Sequence, residues 1–260
     1  MKILILEPLA EIPKQTKTIL VILEAILALV LWQVLCDGHG LIPGPIVVLK
    51  ALLAIFKEPG FLDNLFASIG LTLKSMGISM VIALTLTYLS SIPLVRPITN
   101  FVIQCRYLTL TGLIFLFTLL TQNGSQLKIS LLIFGIVPFF VTSLMSILAQ
   151  INNQQYDLCK TLRFSNWETM YEVIIRGQLD MTLEVMRQNF AISWLMITMV
   201  EGLSMSEGGL GVMLIKANKY INLPKVFAIL VLIFSMGILF DVLLRWLRRC
   251  LFPYSTLGGK

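Results

Sequence analysis

The stretch Asp157-Leu158-Cys159-Lys160-Thr161-Leu162-Arg163-Phe164 is a charged sequence that lies between two apolar segments of membrane length, residues 128–148 and 188–203. A hydrocarbon core of about 30 Å requires about 20 apolar residues of helix. Four further candidate segments are residues 18–36, 69–91, 107–121 and 224–247. The sequence therefore predicts an all-α polytopic membrane protein with five to six transmembrane helices. The simplest organisation is one domain, residues 1–260, with a long loop at about residues 149–187.

The composition supports a membrane location. Of the 260 residues, 57% are hydrophobic and 13% are charged, and the mean hydropathy is +0.88. Soluble domains carry about 25% charged residues, so this chain is expected to expose its outer surface to lipid. The net charge of +6 comes from basic residues at the ends of apolar segments. They form no basic stripe with interleaved aromatic residues, which argues against nucleic-acid binding.

The sequence offers little for catalysis. His39 is the single histidine, whereas metal sites and nucleophilic triads need several ligands or a base with an orienting partner. No phosphate-binding loop of the Gly-x-x-x-x-Gly-Lys-Ser/Thr type is present. The four cysteines have no framework spacing and are read as free thiols. We therefore expect no enzyme activity, no metal site and no cofactor bound by this chain.

The arginines predict the orientation. With the N-terminus inside, every arginine falls in cytoplasmic parts, which are residues 1–17, 92–106 and 149–187 and the C-terminal tail. The opposite connections carry lysines such as Lys50, Lys57, Lys216 and Lys219. This asymmetry matches the positive-inside rule. It predicts a cytoplasmic N-terminus and a long cytoplasmic loop that contacts a cytoplasmic partner.

Three ionisable residues inside apolar segments need an explanation, because a charge at the bilayer centre costs roughly 2.5–3.5 kcal/mol. Asp241 precedes Arg245 by four residues, a spacing that predicts an ion pair on one helix face. Lys74 lies about one turn inside its segment and is expected to extend to the interface. Glu24 lies about two turns inside its segment and is expected to reach the interface or a neighbouring helix. For both residues, a part in transport is the less favoured alternative. The small residues Gly70, Ser75, Gly77, Ser79 and Ala83 favour close helix packing in the second segment over the alternative of a pore lining.

The charged loop resembles the Glu-Ala-Ala-x3-Gly-x9-Ile-x-Leu-Pro motif of membrane subunits of bacterial ATP-binding-cassette (ABC) importers. Asp157 stands in the Glu place, and Leu158 and Cys159 stand at the two alanines. Arg163 stands where the motif has Gly. The register continues to the end of the motif, where the Ile, Leu and Pro places are taken by Val173, Ile175 and Arg176.

Other segments resemble the nitrate/sulfonate/taurine branch of that family. Ile42-Pro43-Gly44-Pro45 is similar to its outer Leu-Pro-Ser-Pro segment. Glu201 followed by Gly209-Leu210-Gly211 resembles its outer Glu and Gly-Leu-Gly element. Gly237 with Asp241 and Arg245 is similar to its last-helix signature. The resemblance gives Glu201, Gly209, Gly211, Asp241 and Arg245 structural or gating roles.

The resemblance implies a permease subunit of the bacterial cytoplasmic (inner) membrane. In that family a cytoplasmic coupling helix sits in a groove of an ATPase subunit, which holds ATP-Mg, and a solute-binding protein delivers an anionic solute from outside. Two permease chains, expected to be a homodimer, surround the path. We expect Leu158, Leu162 and Phe164 to contact the groove. The other members of the ATPase-coupling segment are Asp157, Cys159, Lys160 and Arg163, with the three charged residues at the groove's rim.

The substrate path is predicted from polar residues in the third and fifth segments, Thr109, Thr111, Ser193 and Thr198. Two other functions stay open at this stage. One is a membrane scaffold or assembly factor that docks a cytoplasmic partner without transport. The other is an intramembrane enzyme, which the lack of histidine and carboxylate clusters disfavours.

Overall fold

A computed structural model describes residues 14–39, 42–205 and 208–252 of the chain. Its helices in chain order are α1 (Lys14–His39), α2 (Pro45–Phe56), α3 (Phe61–Leu89), α4 (Arg96–Gln104), α5 (Leu110–Leu120), α6 (Gly124–Ala149), α7 (Asn153–Thr161), α8 (Asn166–Thr169), α9 (Leu179–Leu203), α10 (Leu210–Lys219) and α11 (Leu223–Leu251). A 3₁₀ turn, Cys105–Tyr107, follows α4, and a π-helical segment, Met170–Arg176, follows α8. The predicted all-α class is confirmed.

Four of the described helices, α1, α3, α6 and α11, contain a stretch long and apolar enough to cross a membrane. A fifth crossing is obtained if Arg96–Tyr107 and Leu110–Leu120 form one broken span, bent by 115°. The predicted segment 107–121 is therefore not one straight span, since α5 has 11 residues and extends only about 16 Å. The 25-residue α9 contains the predicted segment 188–203. Polar residues such as Arg187, Asn189 and Glu201 interrupt its apolar run.

The central helix of the bundle is α6, which packs against α3 and α9. Its core side chains, among them Leu131, Ile136 and Phe140, are completely buried. The buried face of α3 consists mostly of small residues, which allow helices to approach closely in lipid. The small buried residues are Ser68, Thr72, Ser75, Ser79, Ala83 and Thr87, and the large ones are Phe61 and Met76. The prediction is thus confirmed for Ser75, Ser79 and Ala83. Within this chain it is not met at Gly70 and Gly77, where an added Cβ would meet no atom of the described residues within 4 Å.

The first helix differs from the others because its apolar span is unburied in this chain. Its candidate span, Thr16–Val34, lies close to the predicted segment 18–36, and the helix itself continues to His39. The short helix α2 has proline at its first turn and packs on α11. Gly40 and Leu41 lie outside the described residues. So do residues 1–13 and 253–260, which belong to the predicted cytoplasmic ends.

Candidate functional site

The predicted coupling segment folds as a short helix followed by a tight turn. The Asn152 side chain accepts a 3.1 Å hydrogen bond from the amide of Gln154 and caps α7. At the other end, the amide of Phe164 donates to the Cys159 carbonyl and the amide of Arg163 donates to the Lys160 carbonyl, both at 3.0 Å. This pair of bonds defines a Schellman motif. The helix therefore ends at the bend that the family motif places here.

Arg163 takes the left-handed backbone conformation of this turn, with φ of 58°. Glycine favours this conformation, and any residue with a Cβ pays a steric cost there. The chain re-enters helix at once, because Ser165 and Glu168 form a reciprocal capping box at the start of α8. The hydrogen bond from the Ser165 amide, followed by that from its hydroxyl, lowers the pKa of Glu168. Arginine thus replaces the motif glycine while the bend is kept.

Large apolar side chains of this segment face away from the bundle. Leu158 and Leu162 are more than half exposed, as are Trp167 and Tyr171, and Phe164 is 39% exposed. These five side chains are called the coupling surface below. The sequence reasoning missed Trp167 and Tyr171, although both follow Leu162 closely and are apolar residues in a polar loop.

The charged residues of the coupling segment are also exposed. Asp157 and Lys160 form an ion pair of 3.1 Å on the surface of α7, and Arg163 is exposed at the bend. Cys159 differs, since it is 6% exposed and faces its own chain. Of the residues named for this segment, Cys159 is therefore the one that the fold turns away from an external partner.

An ion-pair cluster joins the first turns of α9 to the last turns of α11. Its six members are Asp180, Glu184 and Arg187 of α9 with Asp241, Arg245 and Arg248 of α11. The predicted ion pair between Asp241 and Arg245 is confirmed, with Nη2 and Oδ2 2.5 Å apart. Arg187 of α9 donates to the other oxygen of Asp241. Asp241 therefore connects the two helices as well as pairing within α11.

Arg248 makes the second connection between the two helices. Its Nε and Nη2 each lie 2.8 Å from an oxygen of Asp180, and its Nη1 lies 2.6 Å from Glu184. The paired, parallel geometry suits the planar guanidinium group. Glu184 precedes the predicted membrane segment, residues 188–203, in the sequence and so lies outside it. The hydrogen bond from Arg187 lowers the pKa of Glu184 to about 2, assisted by the charges of Arg187 and Arg248 and opposed by desolvation.

The sequence contains a signal for this cluster, the spacing of its charged residues. Charged residues recur at i, i+4 and i+7 in both helices, as Asp180, Glu184 and Arg187 and as Asp241, Arg245 and Arg248. Residues at these spacings share one helix face. Two charged faces in membrane-associated helices must meet each other or water, because lipid accepts neither.

At the opposite end of the bundle, residues 208–211 form a tight turn, called the glycine turn below. Glu201 is 1% exposed and accepts hydrogen bonds from the Ser68 hydroxyl at 2.6 Å and from the Gly211 amide at 2.7 Å. The Ser68 oxygen in turn accepts from the amide of Leu210 at 2.8 Å. The predicted structural residues Glu201 and Gly211 are therefore in direct contact, and Ser68 is a partner that the sequence reasoning missed.

The turn requires its glycines for two different reasons. Gly209 has φ of 118°, and a Cβ there would lie 2.3 Å from the carboxyl carbon of Glu201. At Gly211 a Cβ would lie 2.5 Å from the carbonyl oxygen of Thr198. The Gly209 amide donates to Asn64 of α3 at 2.7 Å. The neighbouring residues Ser206 and Glu207 lie outside the described residues.

The four predicted path residues do not come together. Thr109 and Thr111 line a cavity of about 490 Å³ with apolar residues of α6 and α9. Ser193 is fully buried, with no hydrogen-bond partner for its hydroxyl among the described residues. Thr198 donates to the carbonyl of Leu195 at 3.2 Å. This chain alone therefore does not form a single path lined by all four residues.

The glycine of the last-helix signature makes room for a tryptophan. A Cβ at Gly237 would lie 3.2 Å from the Trp194 ring, whose Nε1 donates to the carbonyl of Ile233 at 2.9 Å. Gly237 therefore allows α9 to approach α11 one turn before Asp241.

Comparison with known proteins identifies the family. Residues 46–252 match the model of the binding-protein-dependent transport system inner membrane component. A comparison with curated proteins returned no match. The matched region includes the coupling segment, both charged faces and the glycine turn. The chain therefore belongs to the inner membrane component family of binding-protein-dependent transport systems, the permeases of ABC transporters.

Proposed function

We propose that the coupling surface of this permease docks into a groove of an ATPase subunit and that the transporter imports a small anionic solute of the nitrate, sulfonate or taurine type. Membership of the family makes the chain a multi-pass membrane protein and an importer permease, which is not itself an enzyme. Beyond family membership, the proposal concerns the partners of the permease, its orientation in the membrane and its solute.

The observation that carries the proposal is the coupling surface itself. An exposed cluster of large apolar side chains in a polar loop is typical of an interaction site. Interfaces of this kind have an apolar centre and a polar rim. We assign the exposed Leu158 and Leu162 to the centre. The exposed charges of Asp157, Lys160 and Arg163 are assigned to the rim.

Movement at this surface has a direct route into the bundle. The loop that carries it connects α6 to α9, and the ion-pair cluster connects α9 to α11. A partner that displaces α7 therefore pulls on three long helices at once. We infer that nucleotide-driven closure of an ATPase pair alternates access in this way, with two copies of the permease surrounding the path.

The charge distribution supports the proposed orientation. Arg187 and Arg248 lie in the ion-pair cluster at the start of α9, the helix into which the coupling loop leads, and Arg249 follows Arg248 at the end of α11. Lys216 and Lys219 lie in α10, next to the glycine turn. With the arginine-rich end inside, the positive-inside rule is satisfied. The N-terminus is then cytoplasmic and the glycine turn faces the binding protein.

The test is co-purification with the ATPase encoded in the same transport operon or locus, after co-expression in membranes. The double variant Leu158→Ser, Leu162→Ser should release the ATPase, because it removes the apolar centre of the interface. Leu94→Ser is the matched control, since Leu94 is 83% exposed in the connection between α3 and α4 and lies outside the coupling surface. Retention of the ATPase by the double variant would contradict the proposal.

Two further measurements address Arg163 and the scaffold alternative. Arg163→Ala should weaken ATPase association and transport if Arg163 contacts the partner, and unchanged values would remove that role. Uptake of a labelled anion by proteoliposomes containing the reconstituted transporter separates an importer from a scaffold. A scaffold would bind the ATPase without ATP-dependent uptake.

A further inference from the structure

A cavity of about 240 Å³ lies between α3 and the first turns of α6, beside the glycine turn. Its charged lining groups are Lys74 of α3, Lys128 of α6 and Glu201 of α9. Among the described residues of the lining, two ammonium groups and one carboxylate give a formal charge of plus one. It is called the lysine pocket below, and none of the roles derived above uses its two lysines.

Lys128 is fixed inside the protein. It is 2% exposed, and its Nζ donates to the carbonyl of Gly208 at 3.2 Å. Glu201 supplies a nearby opposite charge, but both of its oxygens already accept hydrogen bonds from Ser68 and Gly211. Burial of a lysine is costly unless charge and hydrogen bonds compensate it. The ammonium group of Lys128 is therefore fixed in position by its hydrogen bond and faces the cavity.

Lys74 supplies the charge that Glu201 does not balance. Among the described residues, no ion pair joins Lys74 to an acidic side chain. Gly70, one turn earlier on the same face, leaves open space beside it, because a Cβ there would meet no atom within 4 Å. Lys74 thus has both a free approach and an excess positive charge.

The depth of the pocket makes this charge significant. The 29-residue α3 is about 43 Å long, against a hydrocarbon thickness of about 30 Å. Counting about 20 residues back from Leu89 places the hydrocarbon boundary near Gly70. Lys74 is exposed and then lies about one turn inside it, so its ammonium group can extend toward the interface at the mouth of the pocket. An anion held beside Lys128 would meet that ammonium group there.

We propose that the lysine pocket binds the anionic group of the solute, an oxyanion such as a sulfonate, carboxylate or nitrate, between Lys74 and Lys128. This inference rests on the proposed import function and names the residues that would receive the solute next to the glycine turn. Gly208 contributes its backbone to the pocket, so the turn that faces the binding protein also borders the anion.

The experiment measures binding of radiolabelled methanesulfonate to the full-length chain in nanodiscs of phosphatidylcholine, by scintillation proximity. The wild-type protein should bind saturably, and neutral dimethyl sulfone should not compete. Lys74→Gln should weaken binding about tenfold, as expected for loss of one charge-assisted contact, and Lys74→Arg should retain it. Lys50→Gln, in the exposed face of α2, is the matched control. Lys128→Gln should abolish binding, with size-exclusion chromatography reporting whether it folds.

Equal binding by Lys74→Gln and wild type would overturn the inference, as would effective competition by dimethyl sulfone or absence of saturable binding. Nanodiscs containing phosphatidylglycerol distinguish a lipid headgroup from a solute. If phosphatidylglycerol displaces methanesulfonate, a headgroup occupies the pocket and the inference is wrong. The assay contains no ATPase, so its failure leaves the docking proposal intact. Loss of ATPase association would likewise leave anion binding unchanged.

Discussion

Ser68 of α3 and Glu201 of α9 are 133 residues apart in the sequence and are joined by a hydrogen bond of 2.6 Å. The same hydroxyl oxygen accepts from the Leu210 amide, so one serine connects two long helices to the glycine turn. Each of these groups is buried, and a buried polar group left without a partner costs about 1–3 kcal/mol. The end of the bundle that faces the proposed binding protein therefore depends on a short chain of hydrogen bonds.

Glu201→Gln should destabilise the protein by about 2 kcal/mol. The new amide cannot accept from both Ser68 and Gly211, and Lys128 loses its nearby opposite charge. The measurement is thermal unfolding in detergent, followed by fluorescence-detected size exclusion. Thr118→Val is the control, because Thr118 bonds only to its own helix at an exposed position and its loss should change little. Equal stability of Glu201→Gln and wild type would contradict the hydrogen-bond network.

Gly211→Ala should be strongly destabilising, by about 2–4 kcal/mol, because the new methyl group would press on backbone rather than on a flexible side chain. The contact is with the Thr198 carbonyl, at 2.5 Å for an added Cβ. Gly77→Ala is the matched control in α3, where the space is open. Alanine also favours helix by roughly 1 kcal/mol, so that variant should be neutral or more stable. The same thermal assay compares the two.

Arg248→Ala should lower stability by about 1–2 kcal/mol, since it leaves Asp180 without its paired hydrogen bonds in a partly exposed cluster. The neighbouring Arg249 is exposed, and no ion pair to it is found within the described part of the chain. Arg249→Ala should therefore leave the stability of the protein unchanged. Similar losses for both variants would mean that the connection between α9 and α11 adds nothing beyond general surface charge.

Arg163→Gly should leave the folded turn intact and stabilise it by up to about 1 kcal/mol, because glycine adopts the left-handed conformation without a Cβ clash. Lys160→Gly, within α7, should instead destabilise by about 1 kcal/mol. Amide hydrogen exchange across residues 153–169 measures both effects. Faster exchange in Arg163→Gly than in wild type would contradict the assigned turn.

The pH dependence of the ion-pair cluster follows from Glu184. Its pKa is about 2, below the ordinary value of 4.5, so the folded state favours the charged form. The stabilisation is complete above about pH 5 and declines as the pH falls through 4.5 toward 2. The difference in melting temperature between wild type and Glu184→Gln should accordingly be constant near neutral pH and shrink in acid. A difference that grows in acid would contradict this assignment.

The sequence predicted the parts of the fold that hydrocarbon thickness dictates. Apolar runs place α1, α3, α6 and α11, because a helix is the conformation that satisfies its own backbone in lipid. The pair Asp241 and Arg245 was also predictable, since helical spacing alone brings them together.

The contacts that were not predicted from the sequence depend on how the helices pack against each other. Arg187 meets Asp241, and Ser68 meets Glu201, only because α9 packs against α11 and α3. The inward position of Cys159 was equally hidden. A short amphipathic pattern indicates that one face of a helix is buried. For α7 it does not indicate which face meets the bundle, because the position of the bundle is not known from the sequence.

The unburied α1 has a consequence for how this permease tolerates change. Its apolar side chains contact few others in the chain, with Trp32 near Phe227 as one of the contacts, at 6.3 Å between ring centroids. An apolar helix that shares so little surface with the rest of its chain can exchange leucine for valine or isoleucine along most of its length. The part of the gene that encodes α1 can therefore change as long as the helix stays hydrophobic. The other helices must also keep the shapes that pack together.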